Sequence, residues 1–431
     1  MGVFIRKILN LPEIIFIVFS LIFGLLCMFI TPYNEVPDEN GHLMRAAQTE
    51  AGILTAFNHP KKTDNEKLIE KFTKDNRDDN ITQLVEAYSA VMYIPASLGI
   101  KLGAYLYNDG KIMFYFGRFF NLLSYIVLVS IAIKITPVFK YPFMISALLP
   151  MSLYLAPSYS ADSFNNAFAF LFFAYIFKLI FTSPMERKIT KRHYIILFIF
   201  SIIGAFCKGL VYPVFLFLFL PDLKMKKIFN IILKSSLIII PIVVCYLWNK
   251  SCPLICCPDI ETFYDKGIIF HAPVLVLKKI IGTTGYFFRT YLDSMIGCFG
   301  NYTTFPLSKA LYNTSIIMFI SMFIFLPEKV NIKHKLTALF LVILFYLTMM
   351  YKLLITWTEM ESIYIEGMQG RYFISTLPLV FLILSCNRIK INDKIKDIYR
   401  FLLTSFFVFI NVNVVLYLYV FYCIYNLKTG F

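Results

Sequence analysis

The chain has 431 residues, 58% of them hydrophobic and 18% aromatic, with 46 Phe and a mean hydropathy of +0.69. That composition excludes a water-soluble domain and sets the chain among polytopic membrane proteins. The net charge of +15 falls in clusters in short connecting segments, a pattern that membrane topology and anionic headgroups explain and that argues against nucleic acid as a partner.

Apolar runs near the length of about 20 residues that crosses a bilayer recur along the whole chain. The first, 13–31, follows Arg6 and Lys7 and has no small-residue cleavage site after Met28, so it reads as a retained anchor. Further spans are expected at 115–134, 141–157, 164–181, 194–207, 210–221, 229–248, 309–326, 336–355, 373–386 and 401–425. The expectation is one all-α integral domain with about eleven crossings. Basic segments at Arg187, Lys188, Lys191 and Arg192, at Lys224, Lys226 and Lys227, at Lys329, Lys333 and Lys335, and from Arg388 to Arg400 are placed in the cytoplasm because cytoplasmic loops carry the excess of Lys and Arg.

Two stretches test this scheme. The run 194–221 is interrupted at Cys207-Lys208-Gly209, and the basic loops on both flanks require a hairpin whose tip, with Lys208, points outward. The run 88–107 is apolar but broken by Pro95 and Gly99 and carries Lys101. Counting it as a crossing would reverse everything downstream, so it is placed along the outer surface as a juxtamembrane helix, inside a first outer loop 32–114. Within that loop His59 to Asn80 reads as a solvated connector. A second large outer segment, 249–308, holds Pro253, Pro258, Pro273 and the charges Arg289 and Asp293.

The densest set of ionisable groups, Asp38, Glu39, His42 and Arg45, lies where the first span surfaces, and such groups bind metal, move protons or grip phosphate. In this topology Asp162, Lys208 and Arg371 surface on the same side, so all project into one outer cavity. Charges in a membrane cost about 2.5–3.5 kcal/mol at a helix centre and therefore face a polar cavity or one another. The plainer alternative is mutual pairing of Asp162 with Arg118 and of Asp38 with Arg45. His42, four residues past Asp38, would share its helix face and permits a metal site with Asp38, Glu39 and Asp162, or serves only as a hydrogen-bond partner. Magnesium or manganese would suit such hard oxygen ligands.

Glu359, Glu361 and Glu366 read as a solvated loop. Of nine cysteines, Cys252, Cys256, Cys257 and Cys298 fall in the second outer segment, where an oxidising compartment permits a disulfide, the alternative being free or packed thiols. The aromatics read as packing and lipid-facing residues, with those at an outer mouth able to stack on sugar or hold an isoprenoid chain. No Walker loop, dinucleotide fingerprint, serine elbow or zinc-protease helix is present.

The motifs Val36-Pro-Asp-Glu-Asn-Gly-His42-Leu-Met-Arg, Tyr93-Ile-Pro-Ala, Gly117-Arg-Phe-Phe-Asn, Leu149-Pro-Met-Ser with Ser160-Ala-Asp162, Phe299-Gly-Asn-Tyr, and Gln369-Gly-Arg371-Tyr-Phe together resemble a bacterial membrane family, domain of unknown function family 2142. That family in turn resembles the GT-C superfamily of integral glycosyltransferases, which use a polyprenyl-phosphate sugar and carry an acidic motif in the first outer loop. The resemblance implies a GT-C-like fold in the bacterial cytoplasmic membrane. It also implies an outer-face active site, a polyprenyl-phosphate sugar donor and a cell-envelope acceptor. The expected reaction is inverting transfer, with Asp38 as general base, Glu39 assisting or binding metal, and Asp162 and His42 orienting acceptor or metal. Lys208 and Arg371, with Arg45 and Arg118, would hold the lipid phosphate. The alternatives are a transporter or flippase of lipid-linked saccharides, which internal symmetry would favour although no repeat is visible, and a glycan polymerase using much the same site.

Overall fold

The computed structural model describes residues 3–53, 64–73, 88–182, 189–208, 210–223, 225–251, 264–300 and 305–425. Helices account for nearly all of the regular secondary structure among the described residues; the sheet there consists of Cys298–Phe299 paired antiparallel with Phe305–Pro306.

In chain order, α1 (Val3–Leu9) leads into α2 (Pro12–Ile30), and α3 (Glu39–Glu50) follows directly after the acidic turn. Then come α4 (Asp64–Thr73), α5 (Ile94–Tyr107) and α6 (Gly110–Ile135). Next are α7 (Lys140–Ala147), α8 (Pro150–Leu155), α9 (Ala161–Phe181) and α10 (Lys191–Phe206). A 3-10 helix, Tyr212–Phe219, precedes α11 (Lys227–Ser251), α12 (Pro273–Gly297), α13 (Lys309–Phe325) and α14 (Ile332–Thr356). A second 3-10 stretch, Gly370–Thr376, runs into α15 (Leu377–Leu384), and α16 (Asp393–Tyr419) follows.

Six helices among the described residues are long and apolar enough to cross a membrane: α2, α6, α9, α11, α14 and the stretch from Asp393 to Ile424. The other expected crossings are shorter or broken. The run 141–157 divides into α7 and α8 at Leu148-Leu149, because Pro150 has no N–H to continue the ladder and disfavours helical backbone in the residue before it. The runs 194–207 and 309–326 become α10 and α13, of 16 and 17 residues. The run 210–221 becomes a 3-10 helix, and 373–386 the eight residues of α15 behind a 3-10 turn.

The expected solvated connector needs a correction: Asp64–Thr73 is a helix whose Ile69 is buried, packed on α6, since Leu68, Ile69 and Phe72 fall on one face at helical spacing. The remainder of that connector lies outside the described residues.

Burial sorts the long helices. In α9, apolar around its whole circumference, 83% of the spanning window is buried, whereas in α11 and α14 the figure is 22%. A helix apolar all round goes to the centre, and apolar side chains left outward are the lipid-facing surface. Around α9, Phe143 packs against Phe170, Phe177 and Phe381 with ring centroids 5.3–6.0 Å apart, each edge to face, the arrangement that aromatic quadrupoles favour.

α5 lies antiparallel on the first turns of α6. A side-chain carbon at Gly99 would meet the Phe116 carbonyl oxygen at 2.3 Å, so only glycine permits this backbone approach. The 88–107 run thus holds a 3-10 turn, Ala90–Tyr93, and a helix folded back against α6. The stretch 191–221 forms the expected hairpin: the Tyr194 hydroxyl donates to the Pro221 carbonyl at 2.6 Å, joining the far ends of its two arms and leaving Lys208 at the tip. Arg6, Asp397 and Arg400 pair at the end of the bundle where α2 begins, at 2.8 and 3.1 Å. The acidic segment lies at the opposite end of α2.

Candidate functional site

The first node of the site is closed. Glu39, in the first turn of α3, accepts two hydrogen bonds from Arg118 of α6, at 2.9 and 2.6 Å, and a backbone N–H bond from Asn34 at 3.2 Å. Arg118 also donates to the carbonyls of Met28, Thr31 and Pro32 at 3.1, 2.7 and 3.0 Å. These are the carbonyls left over where α2 ends, so one guanidinium caps a helix and anchors the acidic turn. Both side chains are fully buried. The place for Arg118 depends on Gly117, where any side chain would collide with the Tyr159 hydroxyl at 1.9 Å.

This geometry corrects three expectations. Arg118 pairs with Glu39 and not with Asp162, so its donors are occupied and it does not face the cavity that holds Asp162. Glu39, equally saturated, is turned away from Asp38. Arg45 does not pair with Asp38: its guanidinium donates to the carbonyls of Tyr88 and Ile53, at 3.1 and 3.0 Å, and to Thr49, tying α3 to the chain before α5.

The second node is open. Asp38 occupies the N-cap position of α3 but makes no capping hydrogen bond, and its backbone is left-handed, with φ +62°. An Asp that forgoes a cap worth about 1 kcal/mol while holding an uncommon backbone conformation is directed elsewhere. Its carboxylate, 59% exposed, accepts from Arg371 Nη2 at 3.2 Å. Arg371 Nε lies 3.2 Å from Asp162 Oδ2, and Lys208 donates to Asp162 Oδ1 at 2.5 Å. Lys208 also sits 5.2 and 5.4 Å from the ring centres of Tyr88 and Tyr372, cation–π contacts that hold the ammonium in place.

This node is under-satisfied. Arg371 is buried, yet among the described residues its Nη1 has no hydrogen-bond partner, and its Nε and Asp162 Oδ2 meet at ion-pair distance without hydrogen-bond geometry. Such an orphan costs about 1–3 kcal/mol, an expense that an anionic, hydrogen-bonding ligand would relieve.

His42 lies beside this node and is neutral. Its Nδ1 is 2.6 Å from the Tyr93 hydroxyl and its ring stacks on Tyr88. Burial, reinforced by the Lys208 charge, pushes its pKa down to about 3, since both favour the uncharged imidazole. It is the hydrogen-bond partner of the plainer expectation. Among the described residues no three His, Cys, Asp or Glu side chains gather as ligands, and Asp38 and Asp162 are already engaged by cations, so the donor set does not suit a divalent metal.

Asp38, His42, Asp162 and Lys208 line one cavity of about 230 Å³. Tyr88, Asn165, Lys352, Trp357, Gln369 and Tyr372 line it too and were not singled out from the sequence. Lys352 carried a usable signal, because a charge inside the apolar run 336–355 is costly and therefore marks a cavity. Gln369 and Tyr372 flank Arg371 in one of the motifs quoted above, whereas Tyr88, Asn165 and Trp357 carried no signal, being ordinary polar or aromatic residues until folding brings them together. One wall is apolar, made by Phe345, Met349 and Leu353 of α14, spaced four residues apart on one helix face.

Elsewhere, Arg289 and Asp293 form an i,i+4 pair on α12 and are partly exposed, not buried. Glu359, Glu361 and Glu366 are exposed, as expected. Cys298 is partly buried; Cys252, Cys256 and Cys257 lie outside the described residues.

No curated protein and no solved structure matches this chain. One family model does, over residues 56–380, under the description "Predicted membrane protein (DUF2142)". The matched stretch contains Arg118, Asp162, Lys208 and Arg371 and begins after the segment of Asp38, Glu39 and His42. Because it covers well over half of the chain, the protein belongs to the DUF2142 family of membrane proteins.

Proposed function

We propose that this protein is an integral membrane glycosyltransferase that moves a sugar from a polyprenyl-phosphate donor to a cell-envelope acceptor. The reading places it in the bacterial cytoplasmic membrane with the cavity on the outer face, opposite the basic loops. The six long helices and the five shorter or broken ones make up about eleven crossings, in a GT-C-like arrangement with α3 and α5 as juxtamembrane helices.

The observation that carries this reading is the meeting of Asp38, Asp162 and Lys208 at one cavity, with Arg371 buried against both carboxylates and its Nη1 left unpartnered among the described residues. In the proposed step Asp38 takes the proton of the acceptor hydroxyl. The acceptor oxygen bonds to the anomeric carbon from the side opposite the phosphate, and the bond from that carbon to the phosphate oxygen breaks. Its electron pair leaves on the lipid phosphate, whose charge Lys208 and Arg371 stabilise. Asp162 positions both cations, and the apolar wall on α14 suits the first isoprene units. No metal takes part.

The test uses purified protein in lipid, radiolabelled polyprenyl-phosphate sugars and a cell-envelope extract. Wild type should release the lipid phosphate and label an acceptor, and Asp38→Asn should do neither. If wild type consumes no donor while lipid-linked saccharide crosses reconstituted vesicles, a carrier replaces the enzyme.

A further inference from the structure

A second cavity, of about 650 Å³, adjoins the first; Gly367 and Gln369 contribute to both. The segment around these residues is held in place at three points. The Ile365 N–H donates to Thr283 at 2.8 Å, the Glu366 N–H to Thr358 at 3.0 Å, and the Gly370 N–H to Ser294 at 3.0 Å. The partition between the two cavities is therefore fixed, and what enters one is placed against the other.

The two linings differ in chemistry. The first contains Lys208 and Lys352 beside the carboxylates Asp38 and Asp162; the second contains Glu366 and Asp293, the latter paired with Arg289 at 2.9 Å, and, among the described residues, no Lys or Arg in its lining. Its walls carry Phe287, Tyr291 and Tyr364 with the hydroxyls of Thr290 and Ser294. Phe287 and Tyr364 meet at 87° with centroids 5.6 Å apart, so the two rings present a corner rather than a flat wall. At the partition, Gln369 Oε1 is buried with no hydrogen-bond partner among the described residues, an acceptor that asks for a donor.

A ligand for such a space needs apolar faces for the rings, hydroxyl or amide N–H donors for the carboxylates and Gln369, and no negative charge. The volume lies within the range of about 300–1,000 Å³ that small-molecule sites occupy. We infer that this cavity is the acceptor subsite of the proposed transferase and that it binds a neutral saccharide, excluding phosphorylated sugars by charge. The inference rests on the transferase reading for the word acceptor, but the binding chemistry stands separately. Discrimination comes from repulsion as much as from fit: the cavity that holds Lys208 and Lys352 takes the phosphate, and the one whose lining has carboxylates and no cation takes the hydroxyl-bearing sugar, so the two substrates do not exchange places.

The test has a binding arm and a turnover arm. In the first, wild type in nanodiscs is probed by saturation-transfer NMR with methyl glycosides of hexoses and N-acetylhexosamines and with their 6-phosphates. Neutral glycosides should give signal and the phosphates none. Tyr364→Ala and Phe287→Ala should abolish it, and Glu366→Lys should admit the phosphates. In the second arm Tyr364→Ala should raise the acceptor KM by about tenfold or more while the donor KM is unchanged. Equal binding of neutral and phosphorylated glycosides by wild type, or signal that survives both aromatic substitutions, would overturn the inference. Absence of donor turnover in wild type would remove the transferase reading alone, leaving the binding arm to decide the saccharide site.

Discussion

Glu39 meets Arg118 in a pair whose side chains are 0% and 1% exposed, while one residue earlier Asp38 meets Arg371 with its own side chain 59% exposed. Every donor of Arg118 has an acceptor, and the pair sits under the end of α2. Arg371 is nearly as buried yet, among the described residues, leaves its Nη1 unpartnered behind the carboxylates that line a cavity. Adjacent carboxylates have therefore diverged in role according to how completely their arginines are satisfied. A saturated ion pair is a structural joint, and an unsaturated one at a cavity is where a ligand completes the set.

The strongest way to break this comparison is to remove Glu39. Glu39→Gln leaves a buried guanidinium without its counter-charge and should cost roughly 3–5 kcal/mol, read as a large fall in the thermal midpoint of the detergent-solubilised protein. A double change, Glu39→Met with Arg118→Met, should recover much of that loss, because the pair can be replaced where its halves cannot. If the single change unfolds nothing, the joint is not structural.

Asp38→Asn should act the other way, lowering transfer by about 10²–10⁴-fold, the usual worth of a positioned base, with the thermal midpoint unchanged. A fall in stability comparable with that of Glu39→Gln would erase the distinction between the nodes. Arg371→Lys keeps the charge but loses the fork of donors and should raise the donor KM by roughly tenfold, measured with a polyprenyl-phosphate sugar.

His42 sharpens the comparison through pH. The unfolded imidazole takes a proton near 6.5, whereas the folded one refuses it down to about 3. Across that window the unfolded state binds more protons, so the His42 contribution to stability is full above about 6.5 and is lost as pH falls toward 3. Replacing His42 with Gln should flatten the thermal midpoint against pH in that interval, and an unaltered profile would mean that the imidazole is not held neutral. The smallest effect expected is that of a chelator: millimolar EDTA should leave transfer within twofold of the untreated rate, about the scatter of such assays.

Much of the site could be read in advance because a charge among apolar residues is conspicuous. Asp38, Asp162, Lys208 and Arg371, separated by up to 333 residues in sequence, were assigned to one cavity from topology alone, and the structure brings them into contact. Arg45, Arg118 and Glu39 carried the same signal and proved to be joints, since burial of a charge reports its cost and not what neutralises it. The fold shows a similar limit. Hydrophobic run length marked the six long helices and the flanking basic loops marked the hairpin at Lys208, but the 3-10 winding of Tyr212–Phe219 depended on packing around α9.

Composition and spacing by themselves determined that the chain lives in a membrane, where its apolar runs lie, and which few ionised groups have to gather, because hydrocarbon tolerates neither bare backbone nor isolated charge. Which carboxylate each cation chose was decided only by the tertiary structure. Partner choice inside a bundle depends on ångström-scale distance and on the carbonyls, rings and glycine gaps supplied by distant helices, and none of these is written in the local sequence.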